Sequence, residues 1–196
     1  MTLAKVRTAV VAIGRAVSAA APLATASPTA QITGGYTLTE FFPEFGAALG
    51  SLGIAVSKVL PANVNATFGF IPITGGRIDA SNAKGEIPHA GGLTLTKGTT
   101  RVQLTDFVID TASGAPRLTG LVAVNGSILG RVPLFDLALR PLTLPLQLPP
   151  GPELLQIDGS RMTLTHEAAS ALNSVFGTTA FAGGFGIGIA SVYANY

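Results

Sequence analysis

Apolar and polar residues alternate with a period of two along most of this chain, and only two stretches switch to helical spacing. In "TRVQLTDFVIDTASG", Val102 and Leu104 alternate with polar neighbours, and Phe107 and Ile109 then continue on the opposite phase. That one-residue slip predicts a β-bulge near Thr105 or Asp106, because a strand keeps one face inward only if an extra residue absorbs the change. "RLTGLVAVNGSILGRVPLFDLAL" sets Asn125-Gly126 between two apolar runs, which predicts a hairpin with a two-residue turn. "RPLTLPLQLPP" carries Leu142, Leu144, Leu146 and Leu148 on one parity and Pro141, Pro145 and Pro149 on the other. Proline gives no N–H to a ladder, so this segment is expected as an edge strand or an extended cover. The apolar end, "TTAFAGGFGIGIASVYANY", reads as a buried strand whose glycines allow close packing.

The two helical stretches are "YTLTEFFPEFGAALGSLGIAV" and "RMTLTHEAASALNSVFGTTAF". Each places a threonine where an N-cap hydroxyl is useful, Thr39 in the first and Thr165 in the second. Phe41, Phe45, Ala48, Leu49 and Leu52 then share a face, as do Ala168, Ala171, Leu172 and Val175. Pro43 suits a first helical turn, and Gly53 and Gly177 suit the left-handed residue that follows a last one. The expected fold is therefore mainly β, an antiparallel β-sandwich or flattened barrel with two short α-helices.

Composition narrows the chemistry. Only 11% of the 196 residues are charged, against roughly 25% in ordinary domains, while 47% are apolar. The net charge of +2 arises because Lys5, Arg7 and Arg15 all precede residue 31; the remainder holds nine basic and ten acidic groups. That body has no basic patch for phosphates, so nucleic-acid binding is not expected. The absence of cysteine removes disulfides, thiolate metal sites and cysteine nucleophiles. Lys5 and Arg7 followed by "TAVVAIG" and then small residues resemble an export signal, which Arg15 interrupts. Residues 1–30 are accordingly read as a signal or a processed or flexible arm, residues 31–196 as one β-rich domain, and the product as secreted or surface-exposed. Residues 16–35 read as linker by composition, with folded structure starting near Tyr36. The glycine-interrupted tail is a poor match to the ~20 apolar residues of a helical span, so integral insertion is not expected.

The sequence offers little for catalysis. "HEAAS" at His166 lacks the second imidazole of a zinc-protease helix, and there is no Gly-x-Ser-x-Gly elbow. "GGFGIGIA" fails the spacing of a dinucleotide loop. Asp106 and Asp110 share strand parity and could in principle serve glycoside chemistry, but they read as a solvated face or a calcium-tolerant loop, and Asp79 with Asn82 lacks an EF-type calcium spacing. Neither an enzyme nor a resident metal is expected.

The segment "GEIPHAGGLTLTKGTTRVQLTDFVIDTASGAPRLTGLVAV" resembles the HtaA-like domain of actinobacterial secreted and surface proteins. Gly85, His89, Gly91, Gly92, Leu93, Leu118, Gly120 and Val122 carry the resemblance, which covers roughly residues 70 to 140. Members of that family include haem-binding domains in which a tyrosine ligates iron beside a histidine. The resemblance thus implies haem or another apolar ligand, with Tyr36 and His89 as the candidate ligand-binding residues. None of Tyr36, Tyr193 and Tyr196 aligns securely with that ligand. Two expectations follow: a non-enzymatic binding module with a pocket near His89 and Tyr36 on its rim, or a structural, self-associating surface protein forming a homo-oligomer without a ligand.

Overall fold

A computed structural model describes residues 28–148 and 154–196. The export-signal reading therefore lies almost wholly outside the described residues. Among the described residues, thirteen antiparallel strands form one strongly curled sheet. They are β1 (Thr29–Ile32), β2 (Gly34–Phe41), β3 (Ala55–Val59), β4 (Asn63–Val64), β5 (Phe68–Pro72), β6 (Gly76–Asp79) and β7 (Lys84–Pro88). After them come β8 (Gly92–Lys97), β9 (Thr100–Asp110), β10 (Arg117–Val124), β11 (Ser127–Ala138), β12 (Leu154–Leu164) and β13 (Gly186–Asn195). The spatial order is β1-β6-β7-β9-β10-β11-β12-β13-β2-β5-β4, and β8 lies between β9 and β3. Two helices, α1 (Pro43–Ser51) and α2 (His166–Phe176), complete the expected mainly β architecture. β1 takes in residues that composition assigns to a linker, and it buries Ala30 and Ile32 against β6.

The bulge is where the phase slip puts it. Asp106 has φ 50°, and β9 changes partner there, pairing with β8 up to Thr105 and with β7 from Val108. One extra residue keeps Leu104, Phe107 and Ile109 all inward and buried. Asn125 (φ 50°) and Gly126 (φ 87°) make the predicted turn between β10 and β11. "RPLTLPLQLPP" forms no strand over its described residues; it is the extended cover. Leu142 and Leu146 pack on the core, and the Leu146 N–H donates to the Ala80 carbonyl at 2.7 Å. The glycine-rich tail is a strand, β13, between β12 and β2. A Cβ on Gly188 would collide with the Glu40 carbonyl of β2, so the close approach needs glycine there.

The two helices begin differently. Thr165 caps α2 as expected: its Oγ1 accepts from the Ala168 N–H at 3.1 Å and donates to the Pro133 carbonyl at 3.0 Å. Gly177 ends α2 with φ 60°. Thr39 caps nothing. The ladder between β2 and β13 continues through Phe41, so Thr39 and Phe41 are strand residues, and α1 starts at Pro43 behind Phe42 with no side-chain cap. Sheet pairing outcompetes a threonine cap because it satisfies several backbone groups at once. Thr165→Ala is expected to lower stability by about 1 kcal/mol, the usual worth of a threonine cap, read as a shift of the urea midpoint.

Candidate functional site

The sheet curls until β5 meets the link between β7 and β8. Ile73 forms a bridge with His89, the Ala90 N–H donates to the Pro72 carbonyl (3.0 Å), and the Thr74 N–H donates to the Pro88 carbonyl (2.9 Å). His89 sits in this seam. Its backbone N–H donates to the Phe107 carbonyl at 2.8 Å, its Nε2 pairs with Thr37 Oγ1 of β2 at 2.7 Å, and it is 4% exposed. Gly91 follows with φ 78°, where a Cβ would strike the Val59 carbonyl, so the turn can pass only as glycine. Burial pushes the His89 imidazole down to about 4, with the Phe107 and Ile87 carbonyls pulling weakly the other way. Those carbonyls act at a distance, because Nδ1 makes no hydrogen bond. His89 thus acts as a clasp, its neutral imidazole bonded to β2 through Thr37 and its backbone to β9 through Phe107.

Tyr36 points elsewhere. Thr37 and Thr39 face the interior, so Tyr36 beside them faces the outer side of β2. There it stacks on Phe70 (4.6 Å between centroids) and on Tyr193 (4.9 Å), its register partner in β13. Partial desolvation, then the Asp158 carboxylate and Tyr36, push the Tyr193 phenol up, which disfavours its tyrosinate. The structure thus does not bring Tyr36 and His89 together: they occupy opposite faces of one sheet.

Between the sheet and the helices lies a cavity of about 170 Å³, which sequence reasoning did not place. Phe45 and Leu49 of α1, Ala168, Leu172 and Val175 of α2, and Leu95, Leu104, Phe107, Leu118 and Leu134 of the sheet line it. Its polar lining residues are Thr39 and Glu167. The signal was present, because the apolar faces read as helix stripes are these walls. What pattern alone misses is that the opposed walls do not touch. Leu129 lines the cavity yet is 66% exposed, and the lining residues Glu167 and Ala171 are also exposed, so the mouth opens between α2 and the β10–β11 hairpin.

The other candidates are turn chemistry. Asp79 accepts from the Ser81 N–H and hydroxyl and from Asn82, and the Ser81 bonds hold its carboxyl below the usual range. Asp110 accepts from the Ala112 and Ser113 N–H groups. His166 is an exposed residue in the first turn of α2. Among the described residues, no three His, Asp or Glu side chains converge on a metal position.

Comparison with known proteins gives the same architecture. No family model and no curated protein matches the sequence. Solved structures match by fold. The C-terminal domain of HtaA from Corynebacterium glutamicum superposes with TM-score 0.58 at 15% identity, over 83% of this chain and 98% of that domain. The N-terminal domain of the same HtaA gives 0.57 at 13% identity, over 83% and 97%. The haem-binding protein HtaB of that organism gives 0.53 at 10% identity, over 87% and 97%. The chain therefore has the HtaA-domain fold. Haem iron is held by an imidazole, phenolate, thiolate or thioether. Among the described residues, the cavity lining offers the thioether of Met162 alone of these and no cation to meet propionates, so that lining does not fit haem.

Proposed function

We propose that this chain, built on the HtaA-domain fold, is a non-enzymatic module that holds a small apolar molecule in its interior cavity. The observation that carries this reading is the cavity itself: about 170 Å³, walled almost entirely by aliphatic and aromatic side chains and open on one side. A dry apolar cavity of roughly 150 Å³ is enough to bind benzene, so this one is suited to an aromatic ring or the end of an acyl chain. Burial of the ligand's apolar surface supplies the affinity. The basic, apolar start of the chain supports a secreted or surface setting for such a module. Among the described residues, no helix is long and apolar enough to cross a membrane.

Val122→Trp places an indole in the cavity and is expected to abolish binding of a fluorescent fatty acid, measured by titration. Overpacking is expected to cost about 1–3 kcal/mol, leaving the variant folded by circular dichroism. Unchanged binding would remove the cavity as the site.

Haem is the second reading, supported by the fold shared with a haem-binding protein and by the tyrosine pair on the outer face. There Tyr36 would hold the iron, with His89 behind the sheet acting only through Thr37. On that reading a Soret band forms with haemin, disappears in Tyr36→Phe and survives in Val122→Trp. Self-association draws support from the domain-swapped dimer known for a variant of the C-terminal domain of HtaA, and light scattering reads it.

A further inference from the structure

We infer that the tip of the β10–β11 hairpin docks on an anionic lipid bilayer and so sets the cavity mouth at the membrane surface. The inference rests on the reading of the cavity as an apolar ligand site, and it concerns how such a ligand arrives.

Isolated apolar residues on a surface are ordinary, but this tip departs from that pattern. Ala123 pairs with Ile128 and Val122 with Gly130, which leaves Leu129 as an extra, bulged residue. Gly130 takes φ 126° to permit it. Two consecutive large aliphatics therefore project from one turn, Ile128 at 70% and Leu129 at 66% exposure. Leu129 also lines the cavity, so the apolar tip and the apolar interior are continuous.

Charge selects the occupant. The tip is tied to the start of β9 by the Asn125 side chain, whose Oδ1 accepts from the Arg101 N–H at 2.8 Å. Arg101 and Arg131 are both exposed beside it. Residues 97–105 and 118–135 contain Lys97, Arg101 and Arg131 and no carboxylate, whereas Arg117, at the far end of β10, is paired with Asp136. Glu167, across the mouth on α2, is the one acid among the lining residues. Aliphatic side chains that project past a cationic collar match a surface that is anionic outside and apolar beneath. A protein partner lacks that layered order.

The chain has no tryptophan, so Ile128→Trp installs a single reporter at the tip. With the full chain and vesicles of phosphatidylglycerol and phosphatidylcholine, the indole emission is expected to shift to the blue and to be quenched by brominated acyl chains. Ile128→Ser is expected to reduce vesicle partitioning roughly tenfold, by loss of one inserted aliphatic side chain. Arg101→Gln/Arg131→Gln is expected to remove the preference for phosphatidylglycerol. Vesicle-bound protein whose indole emission stays unshifted overturns the inference, as does tip-dependent capture of a protein partner without vesicle binding. Fatty-acid titration without vesicles separates the two claims: Ile128→Ser retains it if the cavity reading holds. A blue shift in a protein that binds no fatty acid sinks the cavity reading and leaves the docking tip standing.

Discussion

Phe107→Ala is expected to lower folding stability by about 3–5 kcal/mol, seen as a large fall in the urea midpoint at unchanged slope. Phe107 is 2% exposed and follows the bulge that turns it inward. Its ring lies where a Cβ on Gly120 would touch it, at 2.9 Å, so β10 has been trimmed to receive the ring. Truncation loses the transfer energy of the ring and also enlarges an existing cavity between the sheet and the two helices. Val108→Ala, half-buried on the opposite face of the same strand, is expected to lose much less. Equal losses at the two positions would mean that β9 does not bury the face assigned to it.

Acidification supplies the second large effect. The folded state holds the His89 imidazole at about 4, below its ordinary value of 6.5. A group that resists protonation when folded binds fewer protons there than in the unfolded chain, so stability rises with pH across this interval. The contribution is fully present above about pH 6.5 and is lost progressively as pH falls toward 4, amounting to about 3 kcal/mol. Urea unfolding at a series of pH values should show this slope between pH 6.5 and 5, before most carboxylates titrate. His89→Leu should flatten it. The substitution leaves the Thr37 hydroxyl without its partner, so its stability at pH 7 is expected to fall by about 1–3 kcal/mol.

Much of the frame is legible in the sequence because it depends on local geometry. The bulge at Asp106 follows from one slip in alternation, the hairpin from Asn125-Gly126, and the α2 cap from Thr165. Thr39 misleads because the same threonine-first pattern begins a helix or ends a strand, and only the partner strand β13 decides which. β1 is missed for a related reason: Thr29–Ile32 alternates over only four residues within an Ala/Ser/Thr/Pro stretch, and its place in the sheet comes from β6. The pairing of Tyr36 with His89 is a matter of strand parity. Because Thr37 points inward to the histidine, Tyr36 must point outward, a fact that appears only once β2 is placed across from the seam. The cavity is least legible of all, since residue pattern specifies apolar faces and not the distance between them.

Methyl-resolved NMR titration with a short-chain fatty acid tests most directly whether an apolar molecule enters that space. Shifts should concentrate on the methyl groups of Leu49, Leu95, Leu118, Leu134 and Ala168, all lining the cavity. Ile78, Ile157 and Val192, which lie under the proline-rich cover instead, should stay still. Perturbation confined to the surroundings of Tyr36 and Tyr193, or no perturbation at saturating ligand, would contradict it.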